Sequence, residues 1–150
     1  MPETNPVLRV CSLLNQQCAR YLIVGGQAVI LHGIIRNTED VDILIEDSEE
    51  NCKNVLAALA RMEDGWAAQL TPRDLLENVV VKIADEVEVD VSTRAWKVTY
   101  AEALKDACEV IINGVRVPYL GLDSLIASKE TYREKDRLDL LHLMAKKQKP

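Results

Sequence analysis

The stretch that decides the fold is Tyr21-Leu-Ile-Val-Gly-Gly26, followed after thirteen residues by Asp40-Val-Asp42-Ile-Leu-Ile45. Four apolar residues that stop at a glycine pair predict a short buried strand, and Val41–Ile45 predicts a second one. A helical run, Gln27–His32, lies between them. Because side chains alternate between the two faces of a strand, Asp40 and Asp42 share one face. Two such carboxylates repel each other, and a divalent cation is the usual resolution.

A second acidic strand follows the same alternation. Its acids, Glu86, Glu88 and Asp90, are separated by valines and therefore also share one face. If this strand lies beside Val41–Ile45, one acid completes a three-carboxylate site, and we expect Asp90, at the strand end before Ser92. Two metal ions roughly 3.5–4 Å apart can then hold the attacking and leaving oxygens of a nucleotidyl transfer. The exposed face of an antiparallel sheet alternates in the same way, so both interpretations stand at this point.

The rest of the chain predicts an α+β fold, in which a mixed sheet is flanked by helices. We expect one domain over residues 1–150, with a core of about 21–120 and C-terminal helices over about 121–147. Turn signals at Asp85-Glu86 and Asn113-Gly114 each predict a hairpin. The predicted hairpin strands are Val79–Ala84 with Val87–Val91 and Val110–Ile112 with Val115–Val117. The other predicted helices are Val7–Ala19, one that opens at Ser48, Tyr100–Ala107, Asp123–Tyr132 and Asp136–Lys147.

Charge and composition narrow the possible partners. The 150 residues carry a formal net charge of −6, which disfavours a protein dedicated to duplex DNA. Residues 128–150 differ, since seven bases against four acids give them a net charge of +3. No apolar run approaches the roughly 18 residues of a membrane span, so we expect no membrane partner. The N-terminus does not resemble a signal peptide, and we expect a cytoplasmic protein.

The glycine pair has the features of a phosphate-binding turn. A strand that runs into Gly25-Gly26 and then into a helix presents backbone N–H groups and a positive dipole end. Alone, a glycine pair is more often a tight turn. It matches neither the dinucleotide-binding fingerprint nor the P-loop, because the next glycine is Gly33 and no Gly-Lys-Ser/Thr follows.

In this order, the pieces resemble the DNA polymerase β-type nucleotidyltransferase superfamily. Its signature is an apolar strand, Gly-Gly or Gly-Ser, a short helix, a strand with two Asp residues around one apolar residue, and a later strand with another Asp. The segment Arg36-Asn-Thr38-Glu-Asp40-Val-Asp42 is most similar to the branch of AbiEii-type toxins and small antibiotic nucleotidyltransferases. Lys129 and Asp136 resemble the C-terminal Lys-x6-Asp motif of that branch.

The resemblance implies a role for each matching residue. Asp40 and Asp42 would bind two Mg²⁺ ions, or Mn²⁺, that hold a nucleoside triphosphate (NTP), and Asp90 would bind the ion that activates the acceptor hydroxyl. The residues implied near the phosphates are Gly25, Gly26, Gln27 and Lys129, with Arg36 as a weaker candidate and Asp136 orienting the motif. Charged residues are also common on exposed helices. The alternative interpretation is therefore that Lys129 and Asp136 are ordinary surface charges.

The function implied is a Mg²⁺-dependent transfer of a nucleoside monophosphate from an NTP to a hydroxyl, with release of pyrophosphate. The branch that the sequence resembles implies an enzyme of a toxin–antitoxin system or one that modifies an antibiotic. The acceptor stays open among a tRNA end, a protein hydroxyl and a small molecule. The alternative is a catalytically inactive nucleotide-binding or regulatory module with a partner protein.

Overall fold

The computed structural model describes residues 5–131 and 133–148. This part of the chain forms seven α-helices, eight strands and one short 3-10 helix, Trp66–Gln69. The helices are α1 (Pro6–Gln16), α2 (Gly25–Leu31), α3 (Glu49–Leu59), α4 (Pro72–Glu77), α5 (Tyr100–Ala103), α6 (Leu122–Lys129) and α7 (Glu134–Gln148). The strands are β1 (Tyr21–Val24), β2 (Val41–Ile45), β3 (Val80–Ala84), β4 (Glu88–Ser92), β5 (Arg94–Ala95), β6 (Val98–Thr99), β7 (Cys108–Ile112) and β8 (Val115–Tyr119).

Six strands form one mixed sheet in the order β3-β4-β2-β1-β8-β7. Strands β2 and β4 are parallel, as are β1 and β8, whereas the other neighbours are antiparallel. The two-residue strands β5 and β6 pair separately. With helices packed around the sheet, this is the α+β fold that the sequence predicts.

The central strands are buried because they are apolar on both faces. All four residues of β1 are buried, and in β2 only Asp42 is partly accessible. Ile23 and Ile43, which are neighbours in the antiparallel register, have no exposed surface. Burying a side chain of this size contributes about 2 kcal/mol. This rigid centre carries the acids of β2 and β4.

Two local signals are confirmed. The Ser48 hydroxyl accepts a hydrogen bond from the Asn51 backbone N–H and so caps α3, which reduces the cost of its unsatisfied N–H groups. Asn113 and Gly114 both have positive φ, 50° and 79°, as the two-residue turn between β7 and β8 requires.

Several predicted boundaries differ from the structure. Strand β4 starts at Glu88 rather than Val87, because the Asp85 carboxylate accepts the backbone N–H groups of Glu86, Asp64 and Trp66 and draws the turn away from the ladder. Helix α2 begins at Gly25 itself, and α5 ends at Ala103 rather than Ala107.

Helices α1, α6 and α7 also differ from their predicted ranges, and α7 spans Glu134–Gln148 rather than Asp136–Lys147. Helix α1 ends at Gln16, before Cys18, which has positive φ. Helix α6 ends at Lys129, and Tyr132, the predicted last residue, lies outside the described residues. Helix α4 and the β5–β6 hairpin were not predicted, since their few residues show no clear period. No helix in the described ranges combines the length and apolarity that a membrane crossing needs.

Candidate active site

A cleft of about 400 Å³ opens at the edge of the sheet where β1 passes into α2. Strands β2 and β4 form its floor, and the end of α6 and the residues after it form the opposite side. Seven of the residues that the sequence predicts for the site line this cleft: Gly25, Gly26, Arg36, Asp40, Asp42, Asp90 and Lys129.

Asp42 and Asp90 are side by side on the floor. They are register partners in the parallel pair β2–β4. Burial, followed by the charge and hydrogen bond of Asp90, raises the pKa of the Asp42 carboxyl to about 6. Asp90 Oδ1 is buried and has no hydrogen-bond partner in the described part of the chain. The two carboxylates therefore present closely spaced oxygens whose mutual repulsion a cation relieves.

Gly25 makes the close approach to Asp42 possible. A Cβ atom at this position would lie 2.0 Å from Asp42 Oδ2, far inside contact distance. The backbone of Gly25 also has a φ of 65°, which side chains rarely adopt. Only glycine leaves room here for both the turn and the carboxylate.

Asp40 has a different neighbour. The hydrogen bond and charge of Asp40 raise the pKa of the Glu88 carboxyl, so these two acids lie together. Each stands two residues before its neighbour on the cleft floor, Asp42 or Asp90. Lys82 Nζ lies 3.4 Å from Glu88 Oε1 and 3.8 Å from Asp90 Oδ1. Four acids and one lysine thus lie along this face of the sheet. The sequence analysis named Glu88 among the candidate acids of its strand but chose Asp90, and it did not name Lys82.

The acids of the cleft floor match part of what a divalent cation requires. Carboxylate oxygens are the ligands that Mg²⁺ prefers, and the buried Asp90 oxygen beside Asp42, which accepts no hydrogen bond in the described ranges, fits such an ion. Within residues 5–131 and 133–148, however, no three His, Cys, Asp or Glu side chains are gathered as a ready metal cluster. The structure therefore brings together two of the three predicted ligands, and Asp40 stands with Glu88.

Lys129 is buried in a charge network with two aspartates of α7. Its Nζ lies 3.0 Å from Asp139 Oδ2 and 3.4 Å from Asp136 Oδ1. All three side chains are at most 7% exposed, so the alternative interpretation as charges on an exposed helix is wrong. Sequence reasoning missed Asp139, although its spacing of three from Asp136 places both on one face of a helix.

Arg36 joins this network at the same Asp139 oxygen as Lys129. Its Nη1 atom lies 3.3 Å from Asp139 Oδ2. A Cβ atom on Gly26 would come within 2.3 Å of the same Nη1, so the guanidinium lies directly against the glycine backbone. Arg36 therefore connects the glycine turn to α7.

Two predicted residues stand outside the cleft lining. The Gln27 side chain donates a hydrogen bond to the Asp40 carbonyl oxygen at 3.4 Å, so it supports the backbone of that residue. Asp136 is completely buried and accepts hydrogen bonds from Thr131 and Arg133. Burial alone would raise the pKa of the Asp136 carboxyl, but these hydrogen bonds and the Lys129 charge lower it below its ordinary value.

Comparison with known proteins gives the family. Over residues 3–149 the chain matches the family described as nucleotidyl transferase of unknown function (DUF2204). The chain belongs to this nucleotidyltransferase family. No curated protein matches it. The superfamily resemblance is thereby confirmed, whereas nothing in the match is specific to the AbiEii branch.

Solved structures share the fold of this nucleotidyltransferase-family protein. An antigenic nucleotidyltransferase-like protein from Paracoccidioides brasiliensis has a TM-score of 0.58 and 18% identity, with 93% of this chain and 73% of that chain covered. A protein from Thermotoga maritima assigned as a nucleotidyltransferase has a TM-score of 0.53 and 14% identity, with 91% and 86% covered. At these identities the likeness concerns the fold.

Proposed function

We propose that this protein is a Mg²⁺-dependent nucleotidyltransferase that moves a nucleoside monophosphate from an NTP to an acceptor hydroxyl. The observation that carries the proposal is the pairing of Asp42 and Asp90 on the cleft floor, with the bare Gly25 backbone against Asp42. A pair of ordinary surface acids would not need a glycine of positive φ to make room for it.

The reaction needs positioning and charge neutralisation rather than a covalent intermediate. The acceptor oxygen forms a bond to the α-phosphorus while the bond from that phosphorus to pyrophosphate breaks, and the hydroxyl proton leaves toward Asp90. Two Mg²⁺ ions, or Mn²⁺, would supply charge neutralisation at the attacking and leaving oxygens. Asp40, Asp42 and Asp90 would hold these ions, and Asp40 would exchange its contact with Glu88 for this role.

The leaving group would lie at the other side of the cleft. Gly25 and Gly26 would receive the β- and γ-phosphates through the backbone N–H groups at the start of α2, with the Arg36 guanidinium beside Gly26. Gln27 would act through the Asp40 carbonyl that it contacts. Lys129 would attract the pyrophosphate while Asp136 orients it, and Arg36 would contribute charge at the same side.

We also propose which type of nucleotidyltransferase the protein is. The C-terminal Lys-x6-Asp motif supports an AbiEii-like enzyme of a toxin–antitoxin or antibiotic-modifying type, acting in the cytoplasm, with a partner protein in the first case. A tRNA end, a protein hydroxyl and a small molecule are the acceptors to be compared.

Transfer of label from each of the four NTPs to total RNA, cell lysate or a small-molecule panel tests the proposal. Label should be transferred only with Mg²⁺ or Mn²⁺ and should be lost in Asp42→Asn. Asp123→Asn is the matched control, because that exposed carboxylate pairs only with Lys147 in the described ranges. Thermal stabilisation by Mg·ATP without transfer to any acceptor would instead favour the inactive nucleotide-binding module.

A further inference from the structure

The outer side of helix α7 carries an apolar stripe. Leu138 and Leu141 are 57% and 63% exposed, although such side chains are usually buried. Ala145 is also exposed, and the spacings of three and four residues place all three on one side of the helix. Met144, at the edge of this side, is 50% exposed. Leu138, Leu141, Met144 and Ala145 are called the Leu141 stripe below.

The Leu141 stripe lies opposite the face of α7 that supports the cleft. Asp136, Asp139 and Leu143 are the buried residues of this helix, and both aspartates hold Lys129. With 3.6 residues per turn, the middle of the stripe lies roughly opposite the middle of that buried face. A substitution in the stripe therefore leaves the Lys129 contacts in place.

Another exposed apolar residue borders this helix. Ile35 is fully exposed. It lies in the loop between Gly33, where a Cβ atom would be 3.6 Å from Lys146 Nζ, and Arg36, whose Nη1 atom lies 3.3 Å from Asp139 Oδ2. The loop thus runs along α7 and widens the exposed apolar surface, and such a surface is typical of a site of protein contact.

The charges beside the Leu141 stripe are mostly positive. Lys135, Arg137 and Lys146 are exposed, and none of them forms an ion pair within residues 5–131 and 133–148. Glu134 is the one exposed acid of α7. A partner that carries acids beside its own apolar residues would therefore match both the stripe and its edges.

Two other occupants match this surface less closely. A second copy of α7 would set the same bases against each other. An anionic membrane surface would attract the bases, but helices that lie on membranes commonly insert aromatic side chains, and α7 contains no Trp, Tyr or Phe. Apolar residues spaced by three and four are typical of the narrow contact between two helices.

We propose that the Leu141 stripe is the docking surface for an amphipathic helix of another protein, one with aspartate or glutamate along the edges of its apolar side. Leu138 and Leu141 would pack between the apolar side chains of that helix. Arg137 and Lys146 would face its acids. The proposal is independent of the reaction proposed for the cleft.

Fluorescence anisotropy of the full chain with two labelled synthetic helices tests the proposal. Both peptides carry leucine along one side, and the edges of that side carry glutamate in one peptide and lysine in its twin. The glutamate peptide should bind the wild-type protein at least about tenfold more tightly than the lysine peptide, which the bases repel. Added salt should weaken the binding of the glutamate peptide.

Substitutions locate the contact. Leu138→Gln combined with Leu141→Gln should weaken binding at least about tenfold, because it removes the apolar contact. Both leucines are more than half exposed, so the thermal unfolding of this variant should match that of the wild type. Arg137→Glu should weaken binding severalfold. Lys53→Glu makes the same charge change at an exposed position of α3 and should leave binding unchanged.

Three kinds of result would overturn the proposal. The first is absence of binding, equal binding of the two peptides, or unchanged binding in the double leucine variant. The second is a dimer, detected by light scattering, that the double variant loses, since a second copy would then cover the stripe. The third is cosedimentation with phosphatidylserine vesicles that the same variant loses, which would assign the stripe to a membrane surface.

Discussion

Lys129 Nζ lies 3.0 Å from Asp139 Oδ2, with only 7% and 5% of the two side chains exposed. This contact joins the end of α6 to the middle of α7 under the cleft. Desolvating two charges is costly, and the cost is recovered only while both partners are present. The contact therefore fixes the lysine in place and makes the network vulnerable to loss of one member.

Asp139→Ala should lower the free energy of unfolding by about 3 kcal/mol, since it leaves the buried Lys129 with Asp136 alone. Urea denaturation measures the change. Asp123→Ala, which removes an exposed ion pair with Lys147, should change the stability by less than about 1 kcal/mol. Equal effects of the two substitutions would contradict the burial argument.

Gly25→Ala should disable the site more than it destabilises the fold. The new Cβ would collide with Asp42 Oδ2, and a displacement of about 1 Å costs on the order of a hundredfold in transfer rate. Gly114→Ala is the matched control, because Gly114 also has positive φ but has nothing within 4 Å of a Cβ. Both variants should lose about 1–2 kcal/mol of stability, and only Gly25→Ala should lose transfer. Equal activity of the two would refute the packing role of Gly25.

Stability should depend on pH through Asp136. Its folded-state pKa is below the ordinary value of 3.8, so its stabilising contribution is complete above that value and is lost as the pH falls through the folded pKa. The difference in unfolding free energy between wild type and Asp136→Asn should therefore shrink as the pH is lowered below about 4. Urea denaturation at a series of pH values from 6 downward measures it. A difference that stays constant would mean that Asp136 does not titrate differently in the folded state.

Lys82→Ala should strengthen cation binding at the acids. The ammonium group lies near Glu88 and Asp90, and removing its charge leaves a more negative potential for a divalent ion. Mn²⁺ titration by calorimetry should show severalfold tighter binding than in the wild type. The control is Lys53→Ala, which removes an exposed ion pair with Glu49 and should leave the Mn²⁺ affinity unchanged. Weaker Mn²⁺ binding in Lys82→Ala would show that the lysine supports the ion rather than competing with it.

Much of this arrangement could be predicted from short-range patterns. The strand that stops before Gly25, the inward-facing Asp42 of β2 at the cleft and the turn at Asn113 follow from alternation and turn chemistry, and the structure has each of them. The adjacency of Asp42 and Asp90 was predicted only as a condition, because strand order depends on long-range pairing that local periodicity does not contain.

Other features arise only from tertiary contacts. The position of Trp96 at the cleft depends on a hairpin of two-residue strands, which are too short to show a period. The burial of Lys129 and Asp139 depends on how α7 packs against α6, and Asp139 alone resembles any acid of a polar helix. The contact between Asp40 and Glu88 also could not be read from the sequence, where the two acids belong to separate segments.

The most direct test of the account is calorimetric titration of Mg²⁺ with a non-hydrolysable NTP into wild type and Asp42→Asn. The substitution keeps the size of the side chain and removes the charge beside Asp90. The account predicts that the wild type binds at least one of the four NTPs only with the metal, and that Asp42→Asn weakens this binding on the order of a hundredfold. Equal Mg·NTP affinity in the two proteins would contradict the assignment of Asp42 and Asp90 as the metal-binding centre.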